Sequence, residues 1–253
     1  MSKKTYIDCL PADFWKKTLR QCRNESCLDA YAMLARGFWS CENNNHNGKI
    51  LLTGINPSYD GRFIDPEKMI EKTPFELLAR LDKPRGFWKR KEKQFGELWN
   101  NDTMSYLDLF PIRESDQAFF ERAFEKLSDV RGAMLEVTQD AIEELRPKLI
   151  IHANHSSMYY WGINENTPWM GYKLERVDSD IPQFFNTDLF PLFIITGLVD
   201  HKERINNKRH NTNLVGSFLM SYVMDDRNNK YKGKLYSQKE WKDIWAWVVD
   251  HKK

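Results

Sequence analysis

The run Lys49-Ile-Leu-Leu-Thr-Gly54 leads directly into Ile55-Asn56-Pro57-Ser58, a combination that can hold a ligand at a strand end. Gly54 lets the backbone turn sharply and lets a bound group come close. Pro57 stiffens the turn, and Asn56 offers an amide that both donates and accepts. The same five residues also suit an ordinary strand-to-helix turn with polar punctuation, and both readings stand on these residues alone. Asp108 lies within the apolar segment Met104-Ser-Tyr-Leu-Asp-Leu-Phe110, which Pro111 stops. A carboxylate there needs a partner, either a ligand in a pocket or a cation such as Arg113. His201, in His201-Lys-Glu-Arg204, is either a ligand contact or a solvated surface histidine.

Two basic stretches suggest contact with a polyanion. Lys83-Pro-Arg-Gly-Phe-Trp-Lys-Arg-Lys-Glu-Lys93 holds six cations around an aromatic pair, and His201–His210 holds four more. Cations interleaved with aromatics suit phosphate contact and base stacking, with Lys89, Arg90, Lys91, Lys202 and Arg204 as the candidates. The alternative for the first stretch is a solvated helix face with Phe87 and Trp88 in the core. Cys9, Cys22, Cys27 and Cys41 contain no Cys-x-x-Cys, so they are expected to be scattered reduced thiols and no metal site is expected. His152, His155 and His210 are likewise expected in core or loops, and Asn154 as a helix cap.

The elements that must position these groups follow from periodicity. Lys49–Gly54, Met104–Phe110, Lys148–His152 and Leu192–Gly197 are short apolar runs bounded by turn residues, as buried strands are. Helices are expected over Asp29–Trp39, after Asp65-Pro66 and Thr73-Pro74, over Gln117–Leu145, His155–Trp161, Asn213–Met224 and Gln238–Val249. Alternating strands and helices predict an α/β fold, a three-layer sandwich with a short, mainly parallel four-stranded sheet. Ligands of such sheets bind beyond the carboxyl ends of the strands, here after Thr53, Leu107, His152 and Thr196.

Composition sets the outer limits. The chain has 253 residues, 41% hydrophobic and 29% charged, with a formal net charge of +2 and a mean hydropathy of −0.67. A near-neutral balance means that any nucleic-acid surface must come from local clustering. The longest nearly apolar run, Phe190–Val199, is about half the length that a membrane-spanning helix needs. Met1-Ser-Lys-Lys-Thr leads into no apolar stretch, so a secretory signal is not expected and a cytoplasmic location is. Gly-x-Ser-x-Gly, Gly-x-Gly-x-x-Gly and Walker-type lysine loops are missing, which weighs against a hydrolase-type enzyme acting on a small molecule.

Thr53-Gly-Ile-Asn-Pro-Ser58 resembles the first active-site motif of the uracil-DNA glycosylase superfamily, whose mismatch-specific branch carries Gly-Ile-Asn-Pro-Gly. Gly86–Lys89 resembles that family's Arg-Phe-Trp, and Tyr106–Arg113 its strand with a base-reading Asn. Arg146–Asn154 resembles its third strand, and Thr196-Gly-Leu-Val-Asp-His201 lies where it places a His-Pro-Ser motif. The resemblance, over about Lys49–His210, implies a glycosylase-like fold in one α/β domain, 1–253. That domain would comprise an N-terminal helical extension (1–48), the core (49–210) and C-terminal helices (211–253). It implies hydrolysis of the N-glycosidic bond of a damaged or mismatched base in DNA, without cofactor or metal, the base leaving the stack to reach the pocket. Asn56 would orient the water and His201 would sit against the leaving base. Gly54, Ile55, Pro57, Ser58 and Asp108 would surround the base, and Tyr59 or Phe63 would stack on it. Asp108 stands where the family has Asn; ionised, it only accepts, and would favour an amino-bearing base or a protonated ring unless burial raises its pKa. The loop at His201 lacks Pro-Ser. Both departures favour the alternative of an inactive fold relative that binds nucleic acid or a nucleotide, single- or double-stranded DNA being the expected partner and no obligate protein partner being evident.

Overall fold

The computed structural model describes residues 14–24, 27–43, 48–59, 61, 70–84, 86–125, 127–163, 169–178, 181–200, 202–206, 208–222, 231 and 233–251. Its centre is a six-stranded sheet built from β2 (Ile50–Gly54), β4 (Met104–Asp108), β5 (Leu149–His152), β6 (Tyr172–Arg176), β7 (Leu192–Leu198) and β8 (Phe218–Ser221), in the order β4-β2-β5-β8-β7-β6. The first four in that order are parallel, and β7 is antiparallel to both β8 and β6. A second, two-stranded parallel sheet pairs β1 (Phe38–Glu42) with β3 (Ile70–Pro74).

Apolar side chains alternate along the central strands, so each face of the sheet carries its own core. Leu51, Leu107, Ile150 and Leu219 point one way, towards α2 (Leu28–Leu34), α5 (Gln117–Glu125), α6 (Ser128–Leu145) and α7 (Met158–Trp161). Ile50, Leu52, Met104, Tyr106, Ile151 and Met220 point the other way. There they meet α3 (Leu78–Leu81), α4 (Phe87–Phe95) and α8 (Gln238–His251) through Leu78, Phe95, Trp241 and Ile244. Helices on both faces make the layered α/β body that the alternation predicts, with six strands rather than four. A further helix, α1 (Phe14–Asn24), packs on α2.

Several expected elements come out differently. Leu192–Gly197 is not the fourth parallel strand; that place belongs to β8, within the Asn213–Met224 segment expected to be a helix. Gly216, at φ +79°, breaks any helix there, and the apolar run after it carries no helical period. Asp29–Trp39 ends as a helix at Leu34, and Phe38–Glu42 is a strand inside the supposed helical extension. It is tied to the body by the Trp39 N–H donating to the Pro111 carbonyl at 2.8 Å. Gln117–Leu145 is two helices; Thr73-Pro74 ends a strand and then leads, as expected, into a short helix, a 3₁₀ turn at Phe75–Leu77 continued by α3. The helix expected after Asp65-Pro66 lies outside the described residues. No helix among the described residues is long and apolar enough to cross a membrane.

Candidate functional site

The order β4-β2-β5-β8 puts the first strand of the parallel set, β2, between the second and third, so the chain crosses over on opposite sides of it. That switch point is where sheets of this kind leave a crevice at the carboxyl edge. The β2–β4 register sets Gly54 beside Asp108. The pairing continues past the strands, with Leu109 N–H donating to the Gly54 carbonyl at 3.1 Å and Phe110 N–H to the Ile55 carbonyl at 2.9 Å. Gly54 is required by close approach: a Cβ there would lie 2.2 Å from Asp108 Oδ1 and 2.5 Å from Tyr106 Oη.

Asp108 is 2% exposed. Tyr106, two residues earlier on the same strand face, donates its hydroxyl to Asp108 Oδ1 at 2.6 Å, while Oδ2 is buried without a hydrogen-bond partner. Burial, opposed only in part by the tyrosine, pushes the carboxyl up to about 7. It therefore exists in both forms at neutral pH, and the protonated form can donate as well as accept. The cation considered for it, Arg113, instead donates to Glu71 at 2.8 Å. Cys41 is buried nearby, its thiol pushed well up by burial first and by the charge of Asp108 second.

Asn56 is half-buried, with its amide nitrogen engaged. Its amide N–H groups face the Glu114 carbonyl at 2.6 Å, the Pro57 carbonyl at 3.2 Å and the Ile112 carbonyl at 3.3 Å, and its oxygen accepts from Gln117 Nε2 at 2.8 Å. The side chain thus clamps the turn after β2 onto the loop after β4. One lone pair of Oδ1 remains for a further donor, held in a fixed direction. The loop is itself rigidly bonded: Glu114, 3% exposed, accepts from the N–H groups of Ser115 and Asp116 and pairs with Arg36. Arg36 also covers the ring of Tyr59, 4.9 Å from its centroid, and that of Phe119 at 5.1 Å. One face of the proposed stacking aromatic is therefore already occupied. Ser58 is exposed.

At the end of β5, Asn154 accepts from the Ser156 N–H at 2.9 Å, the capping role expected of it. His152 is wholly buried on the sheet face opposite Asp108. Its Nδ1 lies 3.1 Å from Ser157 Oγ and 3.4 Å from the Asn154 carbonyl. Since Ser157 Oγ donates to that same carbonyl, Nδ1 carries the ring proton and the Nε2 lone pair is left without a partner. Burial lowers its pKa to about 4, so the ring is neutral.

Parallel register thus sets Gly54 beside Asp108, and the pairing that continues past it places Asn56 against Ile112 and Glu114. His201 and Phe63 lie outside the described residues. Because β7 runs antiparallel, the chain leaves Leu198 at the edge opposite Asn56, and the loop expected after Thr196 does not join the carboxyl edge of the parallel strands. Two cations of the second basic stretch are paired there, Lys208 with Glu136 at 2.7 Å and Arg209 with Asp140, and the buried Arg204 donates to the Arg209 carbonyl. Lys202 is exposed. In the first stretch, Lys89 pairs with Glu92 at 3.3 Å, and Trp88 packs edge-on to Tyr106 with ring centroids 4.5 Å apart. Arg90 and Lys91 instead line a cleft of about 330 Å³ against the start of α8.

Sequence reasoning missed Tyr106, Glu114 and Gln117 as parts of this assembly. The period of a strand points to Tyr106 as the same-face neighbour of Asp108, but no sequence signal marks the other two, which only the folded loop delivers. Among the described residues no group of His, Cys, Asp and Glu could hold a metal ion. Comparison of the chain with family models, with curated proteins and with solved structures returned no match.

Proposed function

We propose that the carboxyl-edge crevice receives an extruded nucleobase and that the chain is a DNA glycosylase-like hydrolase of the N-glycosidic bond, built on the uracil-DNA glycosylase plan. The observation that carries this reading is the Asp108 carboxyl. It is buried at the end of β4 against Gly54, has one oxygen without a partner, and is poised to hold its proton near neutrality. A group of that kind reads the edge of a heterocycle: protonated it donates to a ring carbonyl, ionised it accepts from an exocyclic amine. The parallel order of β4, β2, β5 and β8 and the sequence Gly54-Ile-Asn-Pro57 support the same reading. Asn56 Oδ1, its direction fixed by the amide contacts, is the group suited to accept from the attacking water.

A second reading, a nucleic-acid or nucleotide binder without hydrolysis, is favoured by the engagement of the Asn56 amide and by the opposite direction of β7. One experiment separates them. Oligonucleotides carrying uracil, hypoxanthine, xanthine or mismatched thymine are incubated with the protein and treated with alkali to cut abasic sites, with binding followed in parallel. Cleavage at one of these bases is expected, falling above pH about 7 for a base whose ring carbonyl needs the protonated Asp108. Binding without any abasic product would establish the second reading and overturn the first.

A further inference from the structure

We propose that β6 is a pairing edge at which a second copy of this chain adds its own β6, antiparallel and about a two-fold axis at Leu174, to make one continuous sheet. β6 ends the strand order and pairs with β7 on one side. The Val177 N–H donates to the Leu192 carbonyl at 2.9 Å, and the Gly171 carbonyl accepts from the Val199 N–H at 2.9 Å. The Lys173 carbonyl accepts from Thr196 Oγ1 at 3.4 Å. Gly171, Lys173 and Val177 thus turn backbone groups towards β7. The irregularity in this pair is one extra residue, Thr196, on β7, so the alternation along β6 is unbroken. The N–H and C=O groups of Tyr172, Leu174 and Arg176 therefore point away from β7, and no strand among the described residues pairs with them there. Lys173, Glu175 and Arg176 are exposed. The other end of the sheet is closed by a side chain: the Asn43 amide donates to the Tyr106 carbonyl and accepts from the Tyr106 N–H, each at 2.8 Å.

Charges on an edge strand guard it against indiscriminate pairing; those of β6 select one partner and one register. With the axis at Leu174, each Lys173 faces a Glu175 across the interface. These positions lie between the hydrogen-bonded pairs, where facing side chains come closest. Leu174 exchanges N–H and C=O with its own copy, and Tyr172 does so with Arg176. Leu174, packed against the core on one face of the sheet, also meets its own copy there. An axis at Lys173 or at Glu175 keeps the backbone groups in phase but sets lysine against lysine or glutamate against glutamate, which is unfavourable. A strand that complements itself about one point fits a second copy of the chain, the self-matching contact that two-fold symmetry requires. β4, which carries Asp108, lies at the far end of the sheet, so this pairing does not depend on the nucleobase reading.

The test is sedimentation velocity of the full chain over a concentration series, at low and at high salt. Wild type is expected to dimerise as its concentration rises, and less so in high salt, which screens the exposed charge pairs. Lys173→Glu alone and Glu175→Lys alone, both at exposed positions, should each weaken the dimer by about tenfold or more, because two attractions become two repulsions. An equal mixture of the two single variants should recover it, since opposite charges then face each other in the mixed dimer. The double variant Lys173→Glu/Glu175→Lys should recover it for the same reason. Recovery in the mixture also shows that both single variants are folded. Wild type that stays monomeric throughout overturns the proposal and leaves the edge to an extended segment of another protein. A dimer that neither single variant weakens, or a loss that the mixture does not restore, overturns it as well, by removing β6 or this register from the contact.

Discussion

Asp108→Asn keeps the shape of a buried carboxyl and removes its charge. Folded Asp108 holds its proton up to about 7, against an ordinary value of 3.8. The folded state therefore keeps a proton that the unfolded chain has already released. Stability from this group is fully present below about pH 4, falls as the pH rises towards 7, and is level above that, a total of about 4 kcal/mol. Asparagine can still accept from Tyr106, but it puts an amide N–H₂ where Oδ2 has no partner, at a cost of about 1–3 kcal/mol. The variant is thus expected to be less stable than wild type by about 1–3 kcal/mol near pH 4 and more stable by about 1–3 kcal/mol above pH 7. In a chain of this size each kcal/mol moves the melting temperature by about 2–4 °C. His152 supplies an internal control of opposite sign. Its pKa, lowered from 6.5 to about 4, gives stability that is fully present above 6.5 and lost as the pH falls towards 4. The two slopes offset each other in wild type, so Asp108→Asn should expose the histidine slope and His152→Gln the carboxyl slope. Urea unfolding of the three proteins between pH 5 and pH 8 makes the comparison. A difference between Asp108→Asn and wild type that is the same at both ends of that range would refute the buried, proton-holding carboxyl.

Gly54→Ala drives a methyl into Asp108 Oδ1 and Tyr106 Oη and should cost about 1–3 kcal/mol in denaturant unfolding. Forcing the hydroxyl away from the carboxyl also removes the contact that holds the Asp108 pKa down, so the pH dependence ascribed to Asp108 should persist and move to higher pH. Asn56→Ala should abolish any excision activity while leaving nucleic-acid binding intact, and should cost about 1–3 kcal/mol as the carbonyls of Glu114 and Ile112 lose their donor. Asn56→Asp should be worse than alanine in the same unfolding assay at pH 8, because an ionised carboxylate would face three backbone carbonyls; equal stability of the two variants would show that the amide clamp does not hold this turn.

The strands carrying the site were legible because their signals are local. Ile50–Gly54, Met104–Asp108 and Leu149–His152 are apolar runs punctuated by glycine, proline or a capping asparagine, and their ends fall within a residue or two of the expected positions. The cap at Asn154 and the burial of His152 belong to the same class. Leu192–Gly197 reads no differently from a parallel strand, since an apolar run has no direction until it finds a neighbour. Its antiparallel pairing with Phe218–Ser221 moved a whole loop to the other edge of the molecule.

The chain's own pattern of residues was enough to place glycine, asparagine and a lone carboxylate at the ends of buried strands, because backbone preference and apolar periodicity act over a few neighbours. Long-range pairing was needed to set Gly54 against Asp108, to fasten Asn56 to residues some 60 positions away through Glu114 and Gln117, and to gather Arg90 and Lys93 opposite Gln238. Those contacts join segments distant in sequence, and they exist only once burial has taken the polar groups out of water and left each to find its partner in the folded chain.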